Sequence, residues 1–205
     1  MKLPFFASFI VFVVWLTYEL KKHQRINQKA KDSFWEIEAK ANSTRRKSLE
    51  KLSYITIPFE HLPMDLLTED TTIQDIHKTL DTLKTKQIVN LTGFTNTQLK
   101  LEYGAPNINL LTEYDQNYTS LARTLQTWAD YLYKKEYIAE AKTVLEFAVS
   151  TKTDVSKTYK LLADIYFTEG NFQKIEELIT VASTLNSAMK NSIVRTLKEL
   201  YLFAG

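Results

Sequence analysis

The side chains able to do chemistry are few and scattered. Three histidines, His23, His61 and His77, have no ligand-like neighbours in sequence. There is no cysteine, which removes disulfides, thiolate catalysis and Cys-based zinc sites. Glu176 and Glu177 are adjacent on an amphipathic stretch, where both are expected to be solvated rather than matched as acid and base. No Gly-rich phosphate loop, HExxH or GxSxG occurs, and the four glycines stand singly. The pattern predicts no enzyme, no metal and no cofactor. Binding, through charge and apolar surface, is the chemistry that remains.

The charge is unevenly placed. Residues 1–52 carry 11 Lys/Arg against 5 Asp/Glu, a balance of +6, while residues 53–205 carry 15 against 19, a balance of −4. The basic front is therefore the part suited to an anionic surface, and nucleic acid is a poor partner for the acidic body. Lys21, Lys22 and Arg25, followed by Arg45, Arg46 and Lys47, are candidates for lipid headgroups, each near-surface charge contributing about 1 kcal/mol. A solvated turn is the alternative for the cluster at 45–47.

Those charges follow an apolar run. Leu3–Leu20 holds no charge before Glu19 and ends with Trp15 and Tyr18 ahead of Lys21 and Lys22. Roughly 18 residues at 1.5 Å each just cross a hydrocarbon core of about 30 Å, so residues 1–20 are read as an uncleaved transmembrane anchor. The bulky and charged residues after it do not suit a signal-peptide cleavage site. Positive charge after the span predicts a cell-membrane, single-pass protein with a short outer N-terminus and its body in the cytoplasm. Three N-x-S/T triplets, at Asn42, Asn90 and Asn117, are read as chance occurrences.

The elements that follow are helical. Residues 21–63 form a basic juxtamembrane helix and an extended strap. Ala30, Phe34, Ile37 and Ala41 share one face of that helix and are expected to pack on the protein's own body, with pairing to another copy or contact with the bilayer as alternatives. In "YITIPFEHLP", Ile57 and Leu62 precede proline and are biased toward extended backbone. Residues 64–110 form a helical cap region. An amphipathic helix with Ile73, Ile76, Leu80 and Leu83 on one face runs to about residue 89 and stops before Gly93, and a short helix is closed by Gly104.

Residues 111–205 carry an internal repeat. At an offset of 34, Trp128–Val149 falls on Leu162–Ser183 without a gap, with Ala129 on Ala163, Asp130 on Asp164 and Ala148 on Ala182. Residues 187–203 form a lone closing helix, and the stretch before Leu121 packs its first turns on the helix at 72–89. Helix, turn, helix at this period resembles the tetratricopeptide repeat. The match covers roughly Leu121–Phe203. It departs from the family pattern at Ile175, where a small residue is usual, at Glu136, where the turn glycine is usual, and at Thr153 and Ser187, where a closing proline is usual.

The resemblance implies an all-α fold with two helix hairpins and a capping helix. It also implies a concave peptide groove lined by Arg123, Gln126, Asp130, Tyr133 and Lys134 in the first copy. Lys157, Lys160, Asp164 and Phe167 follow in the second copy, and Asn191, Lys198 and Tyr201 in the closing helix. Lys157 and Lys160 resemble the lysines of the version that clamps a C-terminal carboxylate. Asp130 and Asp164 stand where that version has asparagine, and an acceptor-only carboxylate would repel the ligand. The same residues could instead pair with one another on a solvated face. The function expected is a membrane-anchored protein-interaction adaptor whose partners are the bilayer and an unidentified protein or peptide. The alternative is a structural subunit of a membrane complex. Self-association is left open.

Overall fold

The computed structural model describes residues 3–202; the side chains of residues 3–7, 25–27, 29, 30, 201 and 202 lie outside the described set. In chain order the helices are α1 Leu3–Ser43, α2 Thr71–Lys84, α3 Asn96–Tyr103, a 3₁₀ turn Ala105–Asn107, α4 Ile108–Lys134, α5 Ile138–Ser150, α6 Ser156–Thr168, α7 Phe172–Ser183 and α8 Lys190–Leu202. The described chain is all-α: its β pairing is a single isolated bridge between Tyr54 and Val89.

The chain forms two compact units, residues 1–47 with 95–108 and residues 48–94 with 109–205. In the first, α1 runs 41 residues without a break, as its lack of Gly and of interior Pro allows. Its C-terminal end packs on α3. Glu38 accepts hydrogen bonds from Lys100 Nζ and Thr97 Oγ1, and Asn42 Oδ1 accepts from the same ammonium at 2.7 Å. Lys100 and then Thr97 hold the Glu38 carboxyl below the usual carboxylate range. A capping box between Thr95 and Gln98 starts α3, and Gly104, at φ 92°, ends it.

Among the described residues no helix is long and apolar enough to cross a membrane. The expected span over 3–20 is described in its side chains only from residue 8, and thirteen residues reach about 20 Å, short of the roughly 30 Å required. The α1 stripe also departs from expectation. Ala41 is fully buried, but Phe34 and Ile37 are 54% and 50% exposed, so the face is not covered along its length. Ala30 lies outside the described side chains.

In the second unit Asp70 caps α2, its Oδ1 accepting from the Thr72 N–H at 2.9 Å, and Ile73, Ile76, Leu80 and Leu83 are buried as their spacing predicts. The helix stops at Lys84, five residues short of the sequence reading. Gln87 and Ile88 continue the helical spacing, but the Ile88 carbonyl instead accepts from the Ile55 N–H at 2.9 Å beside the Tyr54–Val89 bridge. The first turns of α4 meet this returning segment. Asn117 Nδ2 donates to the Gln87 carbonyl and Asp115 Oδ1 accepts from the Leu91 N–H. Ile57 and Leu62 of the strap are buried in the same core.

The hairpins α4–α5 and α6–α7 turn in the same way. Glu136 and Gly170 both adopt left-handed backbone, φ 67° and 70°. Tyr137 N–H bonds the Leu132 carbonyl and Asn171 N–H the Tyr166 carbonyl, while Glu136 and Gly170 reach back to Tyr133 and Phe167. That is the Schellman arrangement at positions 34 apart. Ala129, Ala163 and Ala182 have no exposed surface and Ala148 has 1%, so the small residues sit where backbones approach. The closing helix α8 packs on both α6 and α7, burying Ile193 and Leu197.

The two turns give a matched test. A left-handed non-glycine residue is strained by about 1–2 kcal/mol, of which glycine's unfolded-state entropy takes back roughly 0.5–1. Glu136→Gly should therefore raise the thermal midpoint. Gly170→Ala should lower it, and a Cβ there meets nothing within 4 Å, so its effect isolates the backbone term. Thermal unfolding of both variants checks the pair; a lower midpoint for Glu136→Gly would show that the glutamate side chain contributes more than its strain.

Candidate functional site

The face expected to form a groove is built by the second half of α4, by α6 and by α8. Its centre is already occupied by a side-chain network. Thr158 Oγ1 donates to Gln126 Oε1 at 2.6 Å, Gln126 Nε2 donates to Asp130 Oδ1 at 3.0 Å, and Lys157 Nζ donates to Asp130 Oδ2 at 2.6 Å. Thr158 is fully buried and Gln126 nearly so, which makes Gln126 a structural link between α4 and α6 rather than a groove surface. Both Asp130 oxygens are engaged; Lys157, 62% exposed, keeps donors free for an acceptor in solution.

Asp164, 34 residues later, is half-buried. Burial pushes its carboxyl up, with the Lys160 ammonium opposing. Lys157 and Lys160 border a cleft of about 180 Å³ closed by Ile193, Thr196 and Leu197 of α8. Asn191 and Lys198 are exposed on α8, and the Tyr201 side chain lies outside the described residues. Tyr133, Lys134 and Phe167 are exposed near the hairpin ends, and Phe167 stacks edge-on against Phe172 with ring centroids 5.8 Å apart. Arg123 belongs elsewhere: it lines a cleft with Thr72, Asp75 and Thr79 of α2. Of the twelve groove residues inferred from sequence, the structure joins Gln126, Asp130 and Lys157 by hydrogen bonds and sets Arg123 apart.

Two concavities had no reading from sequence. One, of about 540 Å³, runs between α5 and α7, floored by Val149, Leu162, Leu178 and Val181. At its edge the Tyr166 hydroxyl donates to Glu146 Oε1 at 2.7 Å; burial, reinforced by that carboxylate, holds the phenol far above its usual range. The other, of about 440 Å³, is enclosed by the segments 53–55, 90–94, 150–152 and 184–187. Asn90 Nδ2 donates to the Thr151 and Lys152 carbonyls, both at 3.0 Å. Lys152 holds φ 58° beside them. Only the 34-residue spacing of the two helix hairpins could have hinted at the first cavity; the second depends on contacts about 60 residues apart.

The same contacts bear on the three N-x-S/T triplets. The Asn90 side-chain amide donates to two carbonyls, so a glycan on it would displace one of those bonds, and the Asn117 amide donates to the Gln87 carbonyl.

Among the basic residues, Lys21 and Lys22 are exposed, Lys22 lying 3.6 Å from Glu19. The Arg25 side chain lies outside the described residues. Arg45 and Arg46 are exposed, while Lys47 Nζ donates to the Leu101 carbonyl at 2.7 Å, which turns its charge toward α3. Upstream of Lys21, the described apolar side chains are all in the open: Phe9 is 57% exposed, Val11 68%, Val14 64% and Trp15 56%. Among the described residues no group of His, Cys, Asp and Glu is arranged to hold a metal.

No protein-family model, no curated protein and no solved structure matches this chain. The functional reading therefore rests on the arrangement of these residues.

Proposed function

We propose that this chain is a membrane-anchored protein-interaction adaptor: α1 enters the bilayer and the hairpins α4–α5 and α6–α7, closed by α8, form a tetratricopeptide-like binding module without catalysis. One observation carries the reading. From Phe9 to Leu20 the apolar side chains of α1 are exposed together, and contiguous apolar surface of this extent marks a membrane or protein contact. With Leu3 to Phe6 added in sequence the run reaches the length of a span, and Trp15, Tyr18, Lys21 and Lys22 suit the headgroup layer. The positive flank favours a body on the cytoplasmic side. The peptide surface is the α6–α8 side, where Lys157 and Lys160 present charge beside an apolar cleft.

The test is extraction. Wild-type protein should stay with membranes through alkaline carbonate and need detergent for release. Val13→Lys with Val14→Lys places two charges mid-run, each disfavouring insertion by about 2.5–3.5 kcal/mol, and should move most of the protein to the supernatant. Wild-type protein released by carbonate sinks the anchor. A reporter fused after Gly205 then reads the side on which the body lies.

A further inference from the structure

We infer that α1 is also a self-association element, in which two copies of this chain pair in parallel along a seam from Leu20 to Ile37. The seam is visible once the exposed residues are counted by spacing. Leu20, Phe34 and Ile37 are 55%, 54% and 50% exposed. In sequence they belong to the set 20, 23, 27, 30, 34, 37, which alternates steps of three and four and so follows one face of a two-stranded coiled coil. From Phe9 to Leu16 every position is apolar and spacing is uninformative; between 20 and 37 it is not. None of those six positions is charged, whereas seven of the twelve between them are. The intervening residues meet each other on the outer surface, as Gln28 does in donating to Asp32 at 3.0 Å.

A second copy is the occupant that fits this face. Laid parallel and in register, the seam sets like against like: Ile37 on Ile37, Phe34 on Phe34, and the polar positions His23 and Asn27 each on its counterpart. A single Asn at such a position is the residue type that selects a two-stranded, in-register pair. Laid antiparallel, the same seam sets His23 against Phe34. The flanking positions that face across a parallel pair are Glu19 with Gln24, Ile26 with Lys31 and Ser33 with Glu38, and none sets like charges together; Glu38 is in addition held by Lys100 and Thr97 of its own chain. Two copies anchored in one membrane share one orientation, so the parallel sense also draws on the anchoring proposal. At the lower end the seam stops where Ala41 is fully buried in its own unit.

The absence of cysteine makes the test direct. In the full chain in detergent micelles, Ile37→Cys, Leu20→Cys and, as an outward control, Glu36→Cys are oxidised with copper phenanthroline. Facing positions closer than about 7 Å between Cα atoms can bridge, so the two seam variants should form roughly tenfold more disulfide dimer than the control. An Ile37→Cys yield no higher than that of Glu36→Cys overturns the pairing. Preferential bridging between Leu20→Cys and Ile37→Cys chains in a mixture overturns its parallel sense. Failure of anchoring reads differently: seam bridges persist while wild-type protein leaves the membrane in carbonate.

Discussion

Gly93→Ala is expected to lower the unfolding free energy by about 3 kcal/mol or more, adding roughly 1–2 for left-handed backbone to about 1–3 for overpacking. Gly93 sits at φ 87°, and an added Cβ would lie 2.0 Å from the Asn186 carbonyl oxygen and 2.5 Å from its side-chain nitrogen. Backbone oxygen cannot step aside as a flexible side chain could, so the loop around Asn186 or the one around Gly93 must move. Gly170→Ala supplies the reference, because it has the same strain without the collision. Urea midpoints for the two variants separate the effects, and equal losses would show that the close approach to Asn186 is not made in solution.

The second large effect is at Trp128, the largest fully buried side chain. Truncation of such a residue to alanine costs about 3–5 kcal/mol, and Trp128→Ala should fall in that range. Trp128→Phe should cost much less. The indole Nε1–H is buried and meets no acceptor among the described residues, so phenylalanine gives up volume but removes an unsatisfied donor. Denaturant unfolding of both variants decides it; a Phe variant as unstable as the Ala variant would reveal an acceptor for the indole.

His77 lies edge-on against that indole, ring centroids 5.4 Å apart. Burial pulls its imidazole below the ordinary value of 6.5, with Asp81 and Asp65 opposing. The folded state then binds fewer protons than the unfolded one below pH 6.5, so stability present above that value is lost as pH falls through the depressed pKa. A His77→Phe variant should lose less stability between pH 7.5 and pH 5 than wild type, read from the shift in urea midpoint.

Local signals were the legible ones. Gly104 marks a helix end through backbone freedom acting within a turn, and the buried face of α2 follows from spacing alone. The 34-residue offset placed Glu136 and Gly170 at one turn geometry. What failed depended on distant partners. The segment after Lys84 keeps a helical pattern, yet the strap draws Ile88 and Val89 into extended pairing. Gln126 and Asp130 read as groove residues by position, but Thr158 and Lys157, some 30 residues on, take up their polar atoms. Amphipathic spacing groups Phe34 and Ile37 on one face of α1 without saying whose surface completes it.

The segment from 53 to 94 also changes what kind of folding reaction this molecule can have. Stacked hairpins that touch only their neighbours gain and lose structure piecemeal, each unit with its own stability. Here Asn90 fastens the carbonyls of Thr151 and Lys152, Gly93 abuts Asn186, and the Tyr131 hydroxyl reaches Asp70 at 2.5 Å. These ties span about 60 to 90 residues of sequence and touch the connections after both hairpins. Closing such long loops slows the search for the native state, but once closed they bind the fate of each hairpin to the other. Residues 48–94 and 109–205 should melt in a single transition, and their slowest-exchanging amides should share one opening free energy instead of grading along the stack.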